Sequence, residues 1–171
     1  MVTLEDVGLT AATAEFAWPT AVLDTDVLAG YLRACEARGV GYGLGRKADD
    51  HGRDLLQNPP RYAEIDCSGW VRAAVGVAAK GRLILPDGSV CQNDWCGRHG
   101  LKRSDAEALH LRDGLTRIAF IRASEAHPVG HVYLARDGRT LESYGGHGPG
   151  SRAVSAPVLV AETTDVYVLA V

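Results

Sequence analysis

The chain has 171 residues, enough to bury a sizeable core, with 46% hydrophobic and 23% charged residues and a net charge of −3. It carries no basic block or stripe, which excludes the electrostatic footprint of a nucleic-acid binder. No apolar run approaches the roughly 18 residues that a membrane-spanning helix needs.

Residues 1–22 are mixed and acidic, and read as an N-terminal extension ahead of a core from about residue 24 to 171, all in a single domain. They lack a basic stretch followed by an apolar one, so no secretory signal is expected. Asp24-Thr25-Asp26 reads as a helix cap, and Val27, Leu28, Tyr31, Leu32 and Cys35 fall on one face of the helix that follows. Gly39 ends it. A glycine-rich loop from Gly41 to Asp50 comes next, and the polar stretch from His51 to Tyr62, with Pro59-Pro60, reads as irregular.

The next segment holds the chemistry. Ile65-Asp66-Cys67-Ser68-Gly69-Trp70 opens an apolar run that continues to Ala79 as a helix, and Lys80-Gly81 stops it. A thiol at a helix start faces the positive end of the helix dipole and unpaired backbone N–H groups. Both favour the thiolate, which is the nucleophilic form. The same position makes the Cys67 and Ser68 N–H groups candidates for holding an oxyanion. Asp66 is suited to capping this helix, and Trp70 to its core side.

Leu85 to Ser89 reads as a turn, and Ser104 to Leu111 as a short helix capped by Ser104. The second half of the chain then changes period. Residues 115–122, 131–136, 139–144 and 166–171 alternate like strands, and Asp137-Gly138 is a strong two-residue hairpin signal. Helices first and an antiparallel sheet second give an α+β fold.

His131 opens one of these strands and is the candidate base for Cys67. A third group should orient it from the next strand. Alternation puts Thr140, Glu142 and Tyr144 on one face, which favours Glu142, with Ser143 and His147 as rivals because a one-residue slip would reverse the faces. Cys91 and Cys96 are close enough in sequence for a local disulfide or two free thiols. With His99 and His110 they make only a loose metal-like spacing, so neither a metal nor a cofactor is assigned. Gly145 to Gly150 reads as a shaped rim, with Arg152 placed to meet a substrate carboxylate.

Asp66-Cys67-Ser68-Gly69-Trp70, followed by Gly130-His131-Val132 and the hairpin to Thr140-Leu141-Glu142, resembles the NlpC-type cell-wall cysteine peptidases of the papain-like superfamily. The resemblance spans about residues 40 to 152. It implies a papain-like fold with the nucleophile at a helix N-terminus packed on an antiparallel sheet. It also implies Cys67 as nucleophile, His131 as base and a polar third residue, nearest to Glu142. By the same resemblance Tyr42 lines the site, and Asp66 helps to hold the free amine of a stem peptide.

The implied activity is cleavage of amide bonds in peptidoglycan stem peptides, by an endopeptidase or amidase. The alternatives are an acyltransferase or deamidase with the same triad, and a non-catalytic wall-binding or phage structural module. The implied partner is a peptidoglycan peptide, with an immunity or delivery protein if the chain is phage-borne or injected between bacteria. Action in a periplasm or cell wall then needs a delivery route other than a signal peptide; otherwise the chain is cytoplasmic. Three features depart from the family pattern: the strand after His131 is shorter or shifted, the third position is not the usual histidine, and Gly81 to Leu115 lacks the familiar pattern apart from Leu85-Pro86 and Gln92.

Overall fold

The computed structural model describes residues 23–47, 62–125, 128–154 and 157–170. The expected N-terminal extension, most of the irregular stretch 51–62, the end of the glycine-rich loop at 48–50 and the final Val171 lie outside the described residues.

Helix α1 spans Thr25–Ala37, with the Asp24 carboxylate accepting from the Val27 N–H as its cap. Its buried face is Leu28, Tyr31, Leu32 and Cys35, the face that the i, i+3, i+4, i+7 spacing predicts. Gly39 follows with φ +64°, a left-handed residue just past the end. Helix α2 spans Cys67–Ala78 and buries every residue except Arg72, as a helix with alanine and valine all round must. Lys80 and Gly81 both take positive φ and end it.

A third helix, α3 at Ser89–Arg98, stands where the sequence suggested only a turn before it. It buries only Gln92 and Cys96, so it has no apolar stripe to read. The short helix is a 3₁₀ turn at Ala106–His110 with Asp105 at its cap position. Ser104, the expected cap, lies instead in strand β1 (Arg103–Ser104), which pairs with the last strand. Strand pairing there takes precedence over local capping.

The remaining strands are β2 (Thr116–Ile121), β3 (His131–Arg136), β4 (Arg139–Tyr144), β5 (Gly148–Gly150) and β6 (Asp165–Ala170), with a short helix α4 (Pro157–Glu162) before β6. They form one antiparallel sheet in the order β1-β6-β2-β3-β4-β5. The β3–β4 hairpin turns on Asp137 and Gly138 at φ +51° and +74°, the two positive values of a type I′ turn.

Both faces of the sheet are covered. Ile118, Phe120, Val132, Leu134, Tyr167 and Leu169 pack under α1 and α2. Ala119, Ile121, Tyr133, Ala135 and Val166 pack with Leu109, Val154 and Leu159 on the other side. Every residue of β2 is therefore buried, including Arg117, whose guanidinium is held by Asp113 at 2.6 and 3.0 Å. No helix among the described residues is long and apolar enough to cross a membrane.

Candidate active site

Three chain segments meet at the head of α2. The first is the 41–47 loop. It is bound beside the approach to the helix by Gly41 N–H to Ala63 O (2.8 Å), Ile65 N–H to Gly41 O (3.0 Å) and Asp66 N–H to Arg46 O (2.8 Å). Gly69 makes that fit possible: a Cβ there would sit 3.1 Å from the Arg46 carbonyl, the Asp66 carboxylate and the Ile65 side chain. The second segment is the helix start itself. The third is the β3–β4 hairpin, fastened by the Ser143 hydroxyl donating to Ile65 O at 2.8 Å.

Cys67 is the first residue of α2, behind the Asp66 cap, whose carboxylate accepts from the Gly69 N–H at 2.7 Å. Helix geometry supplies no carbonyl to the Cys67 and Ser68 N–H groups. The sulfur meets the His131 side chain and the Val132 N–H. His131 Nε2 lies 2.7 Å from Glu142 Oε2. That leaves Nδ1 as the ring nitrogen for the sulfur, an order of thiol, imidazole and carboxylate across three elements.

The electrostatics follow from these contacts. Burial pushes the Cys67 thiol up, but the hydrogen bond and charge of His131 more than reverse it, so the thiol lies below its ordinary value of 9.0. Burial works against a charged His131 ring. The hydrogen bonds and negative charges of Cys67 and Glu142 outweigh it and raise the ring to about 9. Burial also raises Glu142, and bonds from His131, Arg152 and Thr140 bring it below its ordinary value. These contacts favour a thiolate beside an imidazolium, backed by a buried carboxylate.

Sequence reasoning left three candidates behind His131, and the geometry separates them. Glu142 is fully buried against the ring. Ser143 faces away and bonds to Ile65. His147 is exposed and packs near the Tyr144 ring at 4.8 Å. Tyr42 lies within electrostatic reach of Cys67 and Asp66: burial raises its phenol, and their negative charges add to the rise. Trp70 is fully buried beside Tyr31.

The structure also places the remaining residues of interest. Arg152 is partly exposed and already has a partner inside the protein. Its guanidinium is forked onto Glu142 and lies over the Tyr144 ring at 4.8 Å. The Gly145 to Gly150 stretch is a turn plus β5, and pairing with β4 carries Arg152 there. Cys91 and Cys96 are both free. They lie five positions apart on α3, about 140° around the helix, so one is exposed and the other buried.

Lys47 was missed, and Gln92 was given no role. Gln92 is buried on α3 and donates from Nε2 to Ser68 O (2.9 Å) and Pro86 O (3.0 Å), pinning the start of α2. Lys47 reaches the Asp66 carboxylate and donates to Ser68 Oγ at 2.6 Å. A polar residue inside a polar helix and a lysine inside a loop carry no signal of such contacts. At the same end of β3, next to His131, a cavity of about 420 Å³ is lined by Ser89, Asn93, Phe120, Ile121 and Gly130, among others.

No protein-family model matches the sequence, and no curated protein matches it. Solved structures do. One is a protein from Staphylococcus aureus subsp. aureus Mu50 described as similar to lipoprotein, of the NLP/P60 family. It superposes with a TM-score of 0.53 at 16% identity, over 86% of this chain and 43% of that one. Another is an NlpC/P60 family protein from Bacillus cereus ATCC 10987, with a TM-score of 0.45 at 18% identity, over 61% of this chain and 32% of that one. The chain thus spans less than half the length of the staphylococcal protein. Helices α1 and α2 laid on an antiparallel sheet give this chain the papain-like α+β fold, the fold of the staphylococcal NLP/P60 structure.

Proposed function

We propose that this protein is a cysteine hydrolase of the NlpC type that cleaves amide bonds in peptidoglycan stem peptides. The observation that carries the reading is His131, held between the Glu142 carboxylate at 2.7 Å and the Cys67 sulfur at the head of α2. A thiolate, a charged imidazole and a carboxylate in that order are the parts of nucleophilic acyl transfer.

In this reading the Cys67 thiolate attacks the amide carbonyl. The oxyanion that forms is held by the Cys67 and Ser68 N–H groups. The His131 imidazolium gives its proton to the departing amine, which leaves a thioester on Cys67. His131, now neutral, takes a proton from water as the water attacks the thioester, and the thiolate departs. Glu142 keeps the ring oriented and favours its charged form, while Tyr42 lines the cleft. A wall substrate requires a route to the wall, and carriage by a phage or by an injecting cell, with an immunity protein in the producer, suits the reading.

The test is mass spectrometry of purified muropeptides incubated with wild type and with Cys67→Ala. The reading expects new peptide fragments with wild type and none with the variant. Cleavage that persists in Cys67→Ala would remove the proposed nucleophile.

A further inference from the structure

Asp66 lies one residue from the nucleophile and is buried. Its carboxylate is fully occupied by the protein itself. Oδ1 accepts from the Gly69 N–H (2.7 Å) and the Ser68 hydroxyl (3.2 Å). Oδ2 accepts from the Gly45 N–H (3.1 Å) and from the Lys47 ammonium. A carboxylate has about four lone-pair sites, and here there are four donors.

Lys47 is held in place. The loop behind it turns through Gly45 at φ +76°, and Arg46 bonds on both sides, its N–H to Gly43 O (2.9 Å) and its carbonyl to the Asp66 N–H (2.8 Å). The Lys47 side chain is 23% exposed, and its ammonium meets both Asp66 and Ser68. Of its three N–H groups, one goes to Asp66 and one to Ser68, and among the described residues the third has no acceptor.

We propose that Lys47 is a specificity-determining residue of this site: it closes the Asp66 side of the cleft to a free amino terminus and selects peptides that present an acylated, oxygen-bearing group there. The proposal rests on the hydrolase reading of Cys67. A substrate ammonium brought to Asp66 would find the carboxylate already paired and a second ammonium beside it. Two like charges in a partly buried site repel strongly enough to disfavour binding by at least about tenfold. A carbonyl or carboxylate oxygen at the same place meets the remaining Lys47 N–H, as a charge-assisted hydrogen bond. The Tyr42 phenol lies within electrostatic reach of both Asp66 and Cys67.

The experiment compares a stem tetrapeptide having a free amino terminus with its N-acetylated form. Each peptide is used to protect Cys67 from iodoacetamide, with modification followed at Cys67 by peptide mapping. The readout is binding and needs no turnover, so a protein that cuts no muropeptide still reports on the cleft. Wild type is expected to be protected by the acetylated peptide at a concentration at least about tenfold lower than by the free amine. Lys47→Met is expected to lower that ratio about tenfold or reverse it, and Lys47→Arg, which keeps the charge, to retain a preference for the acetylated form. Stronger protection by the free amine in wild type would overturn the proposal. So would equal ratios in wild type and Lys47→Met, or no protection by either peptide.

Discussion

Arg152 forks onto Glu142, with Nε 2.8 Å from Oε1 and Nη2 3.2 Å from Oε2, while the same Oε2 meets His131 Nε2 at 2.7 Å. The carboxylate is fully buried, and the Arg152 side chain is 41% exposed. His131 and Arg152 together hold the buried acid below its ordinary value, and the acid joins Cys67 in raising the imidazole.

Replacing Arg152 with Met removes the fork and leaves Glu142 to His131 and Thr140. The partial exposure of the Arg152 side chain discounts the loss to about 1–3 kcal/mol, which for a chain of this length lowers Tm by several degrees. A carboxyl held below its ordinary 4.5 contributes stability that is present above that pH and disappears as pH falls through its folded value. Thermal unfolding across pH should therefore show the largest gap between wild type and Arg152→Met near neutrality and a shrinking gap in acid.

Glu142→Gln keeps the shape and removes the charge. The His131 ring, raised to about 9 by Cys67 and Glu142 together, should fall toward its ordinary 6.5. The basic limb of kcat/KM, expected near pH 9 in wild type, should move to lower pH, and the rate should drop about 10²-fold. A pH–rate profile on muropeptides measures both.

Ser143 and His147 separate by the same logic. Ser143→Ala orphans the Ile65 carbonyl and should cost about 1 kcal/mol, or 2–4 °C in Tm, while leaving kcat/KM within about threefold. His147→Ala touches no buried group and should change neither quantity measurably. Thermal unfolding beside a rate measurement distinguishes both from Glu142.

Gly148 takes φ +80°, and a Cβ there would run into the Val40 carbonyl and Gly41. Gly148→Ala thus combines backbone strain with a backbone clash and should cost about 3 kcal/mol or more. Since β5 precedes Arg152, activity should fall as well. Calorimetry with a parallel rate assay checks the pair of effects.

Much of this arrangement was legible in the residues. The α1 and α2 spans, the four longer strands and the Asp137-Gly138 turn all follow from periodicity and turn chemistry, which act over a few residues. The side of β4 that carries Glu142 followed from the hairpin, because a two-residue turn fixes the register. What escaped depends on contacts distant in sequence. Helix α3 has only Gln92 and Cys96 to bury, so no periodic signal marks it. Strand β5 is Gly-Pro-Gly, a loop by composition, and becomes a strand only because β4 offers an edge. Arg152 looked available to substrate because nothing local shows that β5 delivers it to Glu142. Lys47 reaches Asp66 across nineteen positions, through a loop whose path is set by backbone bonds to residues 63–66.

The central claim is that Cys67 is a thiolate paired with the His131 imidazolium. The most direct measurement is the pH dependence of iodoacetamide alkylation at Cys67, with the exposed Cys91 resolved by peptide mapping. Reaction that is already fast well below pH 9 in wild type, and shifts to higher pH in His131→Ala, is the predicted result. A wild-type profile that rises only through about pH 9, unchanged in His131→Ala, would contradict it.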